Sequence, residues 1–301
     1  AWVADGDPGL LILDMIDPAA VEVLGSFNTA GSARDLYIAG NYVYVADGLS
    51  GLRMLLREVY TLTEVSRVDT IGYAEAVTIK ENFLYLSAGE AGLRIIQYPE
   101  SDPLTLWEVG HFDTPGYAQF SMYYGNKMYV GDGAGGMRII NVADKANPVE
   151  SGFYDTAGYA GDLGWFEGIV LIADYSGLRF STSTIPPVET HFYPLPGTPD
   201  RLSVAGEMVC SAGPYQGLRA LNATDPAAIS LTGWLETVGM AQDVAVSADV
   251  AYIAAGEEGL RVVDVSDPSL PVEVSEGRIS QLRRELAESW RAFVGDEPAA
   301  A

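Results

Sequence analysis

Carboxylates are the one plentiful reactive group in this 301-residue chain, with 41 Asp and Glu against 17 Lys and Arg and a formal net charge of −24. Carboxylates can hold calcium, pair with arginine, accept hydrogen bonds from a ligand, or serve as acid and base in hydrolysis. Other reactive side chains are scarce. His111 and His191 are the only histidines and Cys210 the only cysteine. An internal disulfide, a cysteine zinc site and a poly-histidine metal centre are therefore excluded. No phosphate-binding Gly-Lys loop, nucleophile elbow or HExxH pattern occurs, and Gly158-Tyr-Ala-Gly-Asp162 reads as a turn. Cys210 reads as a small buried apolar residue.

The acids, tyrosines and arginines fall into columns. One column reads Asp69-Thr-Ile-Gly-Tyr73-Ala, Asp113-Thr-Pro-Gly-Tyr117-Ala and Asp155-Thr-Ala-Gly-Tyr159-Ala, with variants at Asn28–Ala33 and Glu236–Ala241. A degenerate copy, Pro194–Pro199, lacks the acid and the Thr. Gly suits a tight return, and Thr or Asp can bond nearby backbone. The three tyrosines are not explained by turn chemistry. Polar residues follow each return: Asp35, Glu75, Gln119, Asp162, Asp200 and Asp243. A second column is arginine: Arg53, Arg94, Arg138, Arg179, Arg219 and Arg261. It reads as structural, since Arg pairs well with a carboxylate across strands.

The elements that position these columns come from a repeat. Gly-Leu/Met-Arg recurs, with a degenerate copy at Gly9-Leu-Leu11, and the seven glycines are 42, 41, 44, 41, 40 and 42 residues apart. Each unit holds four short β-rich segments. In one unit these are Arg34–Ala39, Tyr42–Ala46, Leu52–Leu56 and Glu64–Val68, with the glycine-rich hairpin Asp47–Gly51 between the second and third. Four strands per 40 to 45 residues define a propeller blade. The fold expected is all-β, a seven-bladed β-propeller over 1–275, followed by a helix and tail over 276–301. With strands lettered A to D from the axis outward, the B–C turns and D–A returns share one end of the ring. That end carries Asp69, Asp113, Asp155 and the turn acids Asp47, Asp132 and Glu257-Glu258 around the channel. Tyr73, Tyr117 and Tyr159 stand beside them. This face is the candidate ligand face. Both histidines fall in D strands two units apart, too far for a shared triad.

Gly259-Leu-Arg-Val-Val-Asp-Val-Ser-Asp-Pro268 resembles the LVIVD repeat of bacterial and archaeal cell-surface proteins. Gly9–Pro18 and Gly136–Val142 are further copies. The resemblance spans all seven units and implies a propeller and an extracellular or cell-surface location. It supplies no catalytic residues. The Arg53 and Arg179 units lack the Asp-Pro and should have altered outer loops. The Ser-x-Asp-x-Gly-x-x-Trp box of sialidases does not occur.

Only six A strands can be placed, so the first blade should lack its inner strand, and truncation of a longer chain is the favoured reason. Further domains in the native chain fit that reading. Ile279, Leu282, Leu286, Trp290 and Phe293 form an apolar stripe on a helix. The charge is concentrated in the ring, with 36 acids and 13 bases over 1–275. That excess disfavours nucleic acid and anionic membrane surfaces, and no apolar run is long enough to span a bilayer. The expected function is a non-catalytic recognition or scaffold module for protein or carbohydrate. The alternative is a propeller hydrolase or lyase using carboxylates or a calcium ion at the channel.

Overall fold

The structure is a computed structural model, and it describes residues 1–16, 21–98, 104–225 and 228–277. The expected C-terminal helix lies outside the described residues. Within them, seven antiparallel sheets follow one another along the chain. Six have four strands in sequence order and the first has three. Blade one comprises Trp2–Ala4, Leu10–Asp14 and Glu22–Phe27. Blade two comprises Asp35–Ala39, Tyr42–Ala46, Leu52–Glu58 and Thr61–Val68. The inner strands of blades three to seven are Ala76–Lys80, Phe120–Tyr124, Asp162–Phe166, Arg201–Ala205 and Asp243–Ser247.

The B and C strands are buried on both faces because each blade is sandwiched between two others, so they read as near-continuous apolar runs. The core is accordingly a set of layers between blades. Trp2, Leu10 and Ile12 of blade one meet Leu36, Val43 and Leu55 of blade two. Val3, Leu11 and Leu13 on its other face meet Ala254, Leu260 and Val262 of blade seven, which closes the ring. Each such aliphatic side chain contributes roughly 1.5–3 kcal/mol on burial.

Glycine placement follows from the backbone. In the blade-two hairpin, Gly48 and Gly51 have φ of 58° and 72°. Side chains are strained in that region. A β-bulge interrupts each C–D pairing, as between Ile95 and Ile96. Its D-strand partner is glycine at Gly25, Gly110, Gly152 and Gly233. A Cβ at Gly110 would overlap the carbonyl of Lys145, in the outer loop of the next blade. The two units without Asp-Pro do have altered outer connections. Blade two turns tightly through Val59-Tyr60, and blade five carries a loop between Thr182 and Glu189.

His111 lies in the D strand Trp107–Phe112 and His191 in Glu189–Pro194. Cys210 is buried in Met208–Gly213, and burial pushes its thiol up to about 12.

Candidate functional site

The turn of one blade and the return into the next are joined by a reciprocal backbone pair. Gly48 N–H donates to Ala74 O (3.2 Å) and Ala74 N–H to Gly48 O (2.9 Å). The same pair recurs at Gly6/Ala33, Gly89/Ala118 and Gly133/Ala160. In three of the four, the residue before the Ala is a tyrosine that lies across the glycine. A Cβ at Gly48 would stand 2.9 Å from Tyr73 Cζ, one at Gly89 2.9 Å from Tyr117, and one at Gly133 2.7 Å from Tyr159. Glycine in the turn therefore makes the seat for the ring, which is the link that turn chemistry could not supply.

Blade five reverses the arrangement. Tyr175 occupies the glycine place at φ 63°, and its N–H donates to Pro199 O (3.1 Å). The return it meets has Thr198 where those three have tyrosine. Tyr175 stacks on Tyr159, centroids 5.0 Å apart at 28°. Tyr73, Tyr117, Tyr159 and Tyr175 thus occupy four consecutive blade junctions at the channel mouth. The sequence columns missed Tyr175 because it belongs to the turn column. A positive-φ tyrosine was its only local signal, and φ is not visible in sequence.

Polar groups at the starts of the A strands link these rings. Arg34 Nε lies 3.0 Å from Glu75 Oε2, and the Arg34 guanidinium stands 5.7 Å from the Tyr73 centroid. Tyr117 OH donates to Glu75 Oε1 (2.6 Å). Gln119 Nε2 donates to Tyr159 OH (3.3 Å). Arg201 Nη1 donates to Asp200 Oδ1 (2.9 Å). Burial, then the Glu75 carboxylate, raises the Tyr117 phenol well above its usual range. Burial, then Asp200, raises Tyr175 to about 12. These phenols stay neutral and act as hydrogen-bond donors and flat apolar faces.

The acids divide into three groups. Asp35 and Asp162 are buried and direct both oxygens at backbone. Asp35 accepts from Leu36 N and from Val77 N of the next blade (2.9 and 3.0 Å). Asp162 accepts from Leu163 N and Leu202 N (2.8 and 3.1 Å). Asp243, also buried, accepts from Val244 N (2.9 Å). Asp69, Asp113 and Asp155 are exposed, and Asp113 pairs with Arg94 (3.0 Å). They stand at the outer start of each return, near the first residue of strand C, rather than against the tyrosines. Glu75, Gln119 and Asp200 are the predicted residues that the fold brings together with the tyrosines.

The turn acids Asp47 and Asp132 share this end of the ring but are buried, not presented to solvent. Asp47 sits 3.3 Å from Arg53 Nε, and Asp132 3.6 Å from Arg138 Nε. Burial raises both carboxyls, opposed by the hydrogen bonds and arginines beside them. The arginine column is structural, as its strand position implied. A D-strand glutamate approaches five of the six: Glu64, Glu108, Glu150, Glu189 and Glu273 approach Arg53, Arg94, Arg138, Arg179 and Arg261, whereas Arg219 donates to the Leu218 carbonyl (3.3 Å). Among the described residues, no three His, Cys, Asp or Glu side chains are grouped to hold a metal ion. No helix among them is long and apolar enough to cross a membrane.

Ring closure, blade order and this mouth define a seven-bladed β-propeller. The LVIVD repeat model matches residues 1–29, 30–55, 71–114, 115–156 and 238–276, more than half of the chain. The chain therefore belongs to the LVIVD repeat family. The longest unmatched stretch, 157 to 237, covers blades five and six, where the tyrosine changes sides and the return loses its acid. No curated protein is similar enough to this chain to count as a relative. Among solved structures, the computationally designed Ika8 protein is 12% identical, with a TM-score of 0.66 over 87% of this chain and 79% of its own. Saccharomyces cerevisiae Sqt1 is 8% identical, with a TM-score of 0.68 over 87% of this chain and 78% of its own. At such identities the likeness is one of fold alone.

Proposed function

We propose that this propeller is a non-catalytic recognition module at the cell surface, and that it takes a carbohydrate or protein ligand on the tyrosine-lined channel mouth. The observation that carries this reading is the arc of Tyr73, Tyr117, Tyr159 and Tyr175, tied by Arg34, Glu75, Gln119 and Asp200. Flat rings alternating with hydrogen-bonding groups suit the apolar faces and hydroxyls of a sugar. A cationic protein segment is the second fit, supported by the net charge of −24. The hydrolase reading, with or without calcium, needs free axial acids. Asp35 and Asp162 instead hold backbone N–H groups. The exposed Asp69, Asp113 and Asp155 remain candidates for the rim of the ligand face.

The test is a panel of defined oligosaccharides and a polylysine-containing peptide, immobilised and probed with the full chain. Tyr117→Ala combined with Tyr159→Ala should cost the bound probe about tenfold or more in affinity, roughly 1.4 kcal/mol. Tyr159→Phe should keep most of it. Equal binding by the double variant overturns the assignment of the mouth.

A further inference from the structure

Five of the six column arginines each meet two carboxylates. Arg53 lies beside Asp47 and Glu64 (both 3.3 Å) and Arg138 beside Asp132 and Glu150 (both 3.6 Å). Arg179 lies beside Asp174 and Glu189. Arg94 takes Glu108 and Asp113 (3.6 and 3.0 Å), and Arg261 takes Glu258 and Glu273 (3.5 and 3.0 Å). Arg219 of blade six has no carboxylate partner among the described residues, and donates to the Leu218 carbonyl (3.3 Å). The reason lies in the residues of that blade. The place of the D-strand glutamate is Leu231, opposite Leu221 just past the bulge, as Glu150 stands opposite Ile140. The place of Asp47 is Gly213, where a Cβ would stand 2.8 Å from the neutral Gln216 amide. Gln216 itself stands where blade seven has Glu258. Glu236, the acid of the following return, is exposed and forms no ion pair with Arg219.

This arginine is also open to solvent. Arg53, Arg94, Arg179 and Arg261 are buried, whereas Arg219 is partly exposed. Directly across from it on strand D stands Trp234, 59% exposed. At the same place Phe153 and Phe192 lie under the guanidinium groups of Arg138 and Arg179, at 4.9 and 4.1 Å. Among the described residues no cation covers the Trp234 ring in that way. Tyr215, 83% exposed, stands in the hairpin that opens strand C. The missing acids change the local electrostatics. Against burial, Asp174 and Glu189 raise the Arg179 guanidinium above its usual range. Burial lowers that of Arg219, with Glu236 alone opposing it.

We propose that Arg219 and Trp234 form a binding site for an acidic sugar, a hexuronate. Its carboxylate takes the place that Glu64, Glu150 and their counterparts hold in other blades, accepting paired N–H bonds from the guanidinium. Its pyranose ring lies on the exposed face of the indole. Residues directly opposite on an antiparallel pair have Cβ atoms about 4.5–5.5 Å apart, so one sugar residue reaches both. The net charge of −24 repels polyanions, but it is screened beyond about 8 Å at physiological ionic strength. A single carboxylate on a short ligand therefore meets the local charge of Arg219. The site lies between strands C and D, away from the axis, and does not rest on the ligand of the channel mouth.

The experiment titrates methyl glucuronoside into the full chain and follows the tryptophan indole signals by NMR. The Trp234 signal is identified by its loss in Trp234→Phe. The expected result is a saturable shift of Trp234 with a Kd of about 1 mM, and binding of methyl glucoside at least about tenfold weaker. Arg219→Gln should weaken the glucuronoside about tenfold or more while leaving the melting temperature nearly unchanged, since it strands no carboxylate. Leu231→Glu, which gives blade six the glutamate of the other five, should abolish binding with Arg219 in place. If that variant does not fold, Arg219→Gln decides. Tyr117→Ala combined with Tyr159→Ala should bind the glucuronoside as the wild type does, which separates this site from the mouth. No saturable shift at about 10 mM glucuronoside overturns the proposal, as does undiminished binding by Arg219→Gln. Equal binding of methyl glucoside removes the role of the carboxylate, and equal binding of N-acetylalanine removes that of the sugar ring; either overturns it too.

Discussion

At the scale of single residues, burial rather than residue type decides what the carboxylates do. Asp5 is raised to about 7 by burial alone, against about 3.9 for an unfolded aspartate. The folded state therefore prefers the protonated form. Its contribution favours folding below pH 4 and is lost progressively as the pH rises towards 7, because the native state must then bury a charge. Asp5→Asn should leave the melting temperature nearly unchanged at pH 4 and raise it by a few degrees at pH 8, read from thermal melts at both values. A lower melting temperature at pH 8 would show that the charged form is stabilised in the native protein. Tyr175 makes the opposite trade. A tyrosine at φ 63° costs roughly 1 kcal/mol, and the stack on Tyr159 recovers some of it. Tyr175→Gly should keep stability within about 1 kcal/mol while weakening the mouth ligand. A variant that binds as well as the wild type would remove Tyr175 from the site.

At the scale of elements, the blade is a hairpin pair with a bulge, and the bulge glycine is where neighbouring blades clamp. Gly110→Val would drive a branched side chain into the Lys145 carbonyl of blade four. Urea unfolding should show a loss of about 2–4 kcal/mol, in the range of core overpacking with backbone displacement. A change under about 0.5 kcal/mol, the size of an ordinary surface substitution, would mean that the outer loop yields freely. Much of this level was readable in the chain. The strands at Tyr42–Ala46 and the Gly-rich hairpin at Asp47–Gly51 stand where the alternation and the glycines put them. The expected start at Arg34 moves to Asp35, and the D strand begins at Thr61 rather than Glu64. The tight Val59-Tyr60 turn, which replaces the Asp-Pro loop, lets blade two pair further outward.

At the scale of the molecule, seven wedges closed by apolar layers carry a net charge of −24. Self-repulsion of that size opposes compaction and is screened within about 8 Å at physiological ionic strength. Raising NaCl from about 10 to 150 mM should therefore raise the melting temperature. A fall would show that pairs such as Arg53–Glu64 outweigh the general repulsion. Binding of a cationic probe should weaken over the same range, whereas binding of a neutral sugar should not.

The period, the four strands of each unit and the return motif are all legible in the chain alone, because strand alternation and turn glycines are local constraints written every 42 residues or so. The inter-strand place of the arginines is legible for the same reason. The separate fates of the acids are not. Asp35 and Asp162 turn inward to hold the next blade, Asp113 pairs outward with Arg94, and Glu75 reaches Tyr117. Three of these four contacts join partners about 40 residues apart, brought together when the ring closes. The seat of tyrosine on glycine, and its reversal at Tyr175, are likewise contacts between blades. They emerge with the closed ring, since no local pattern records which blade a side chain will meet.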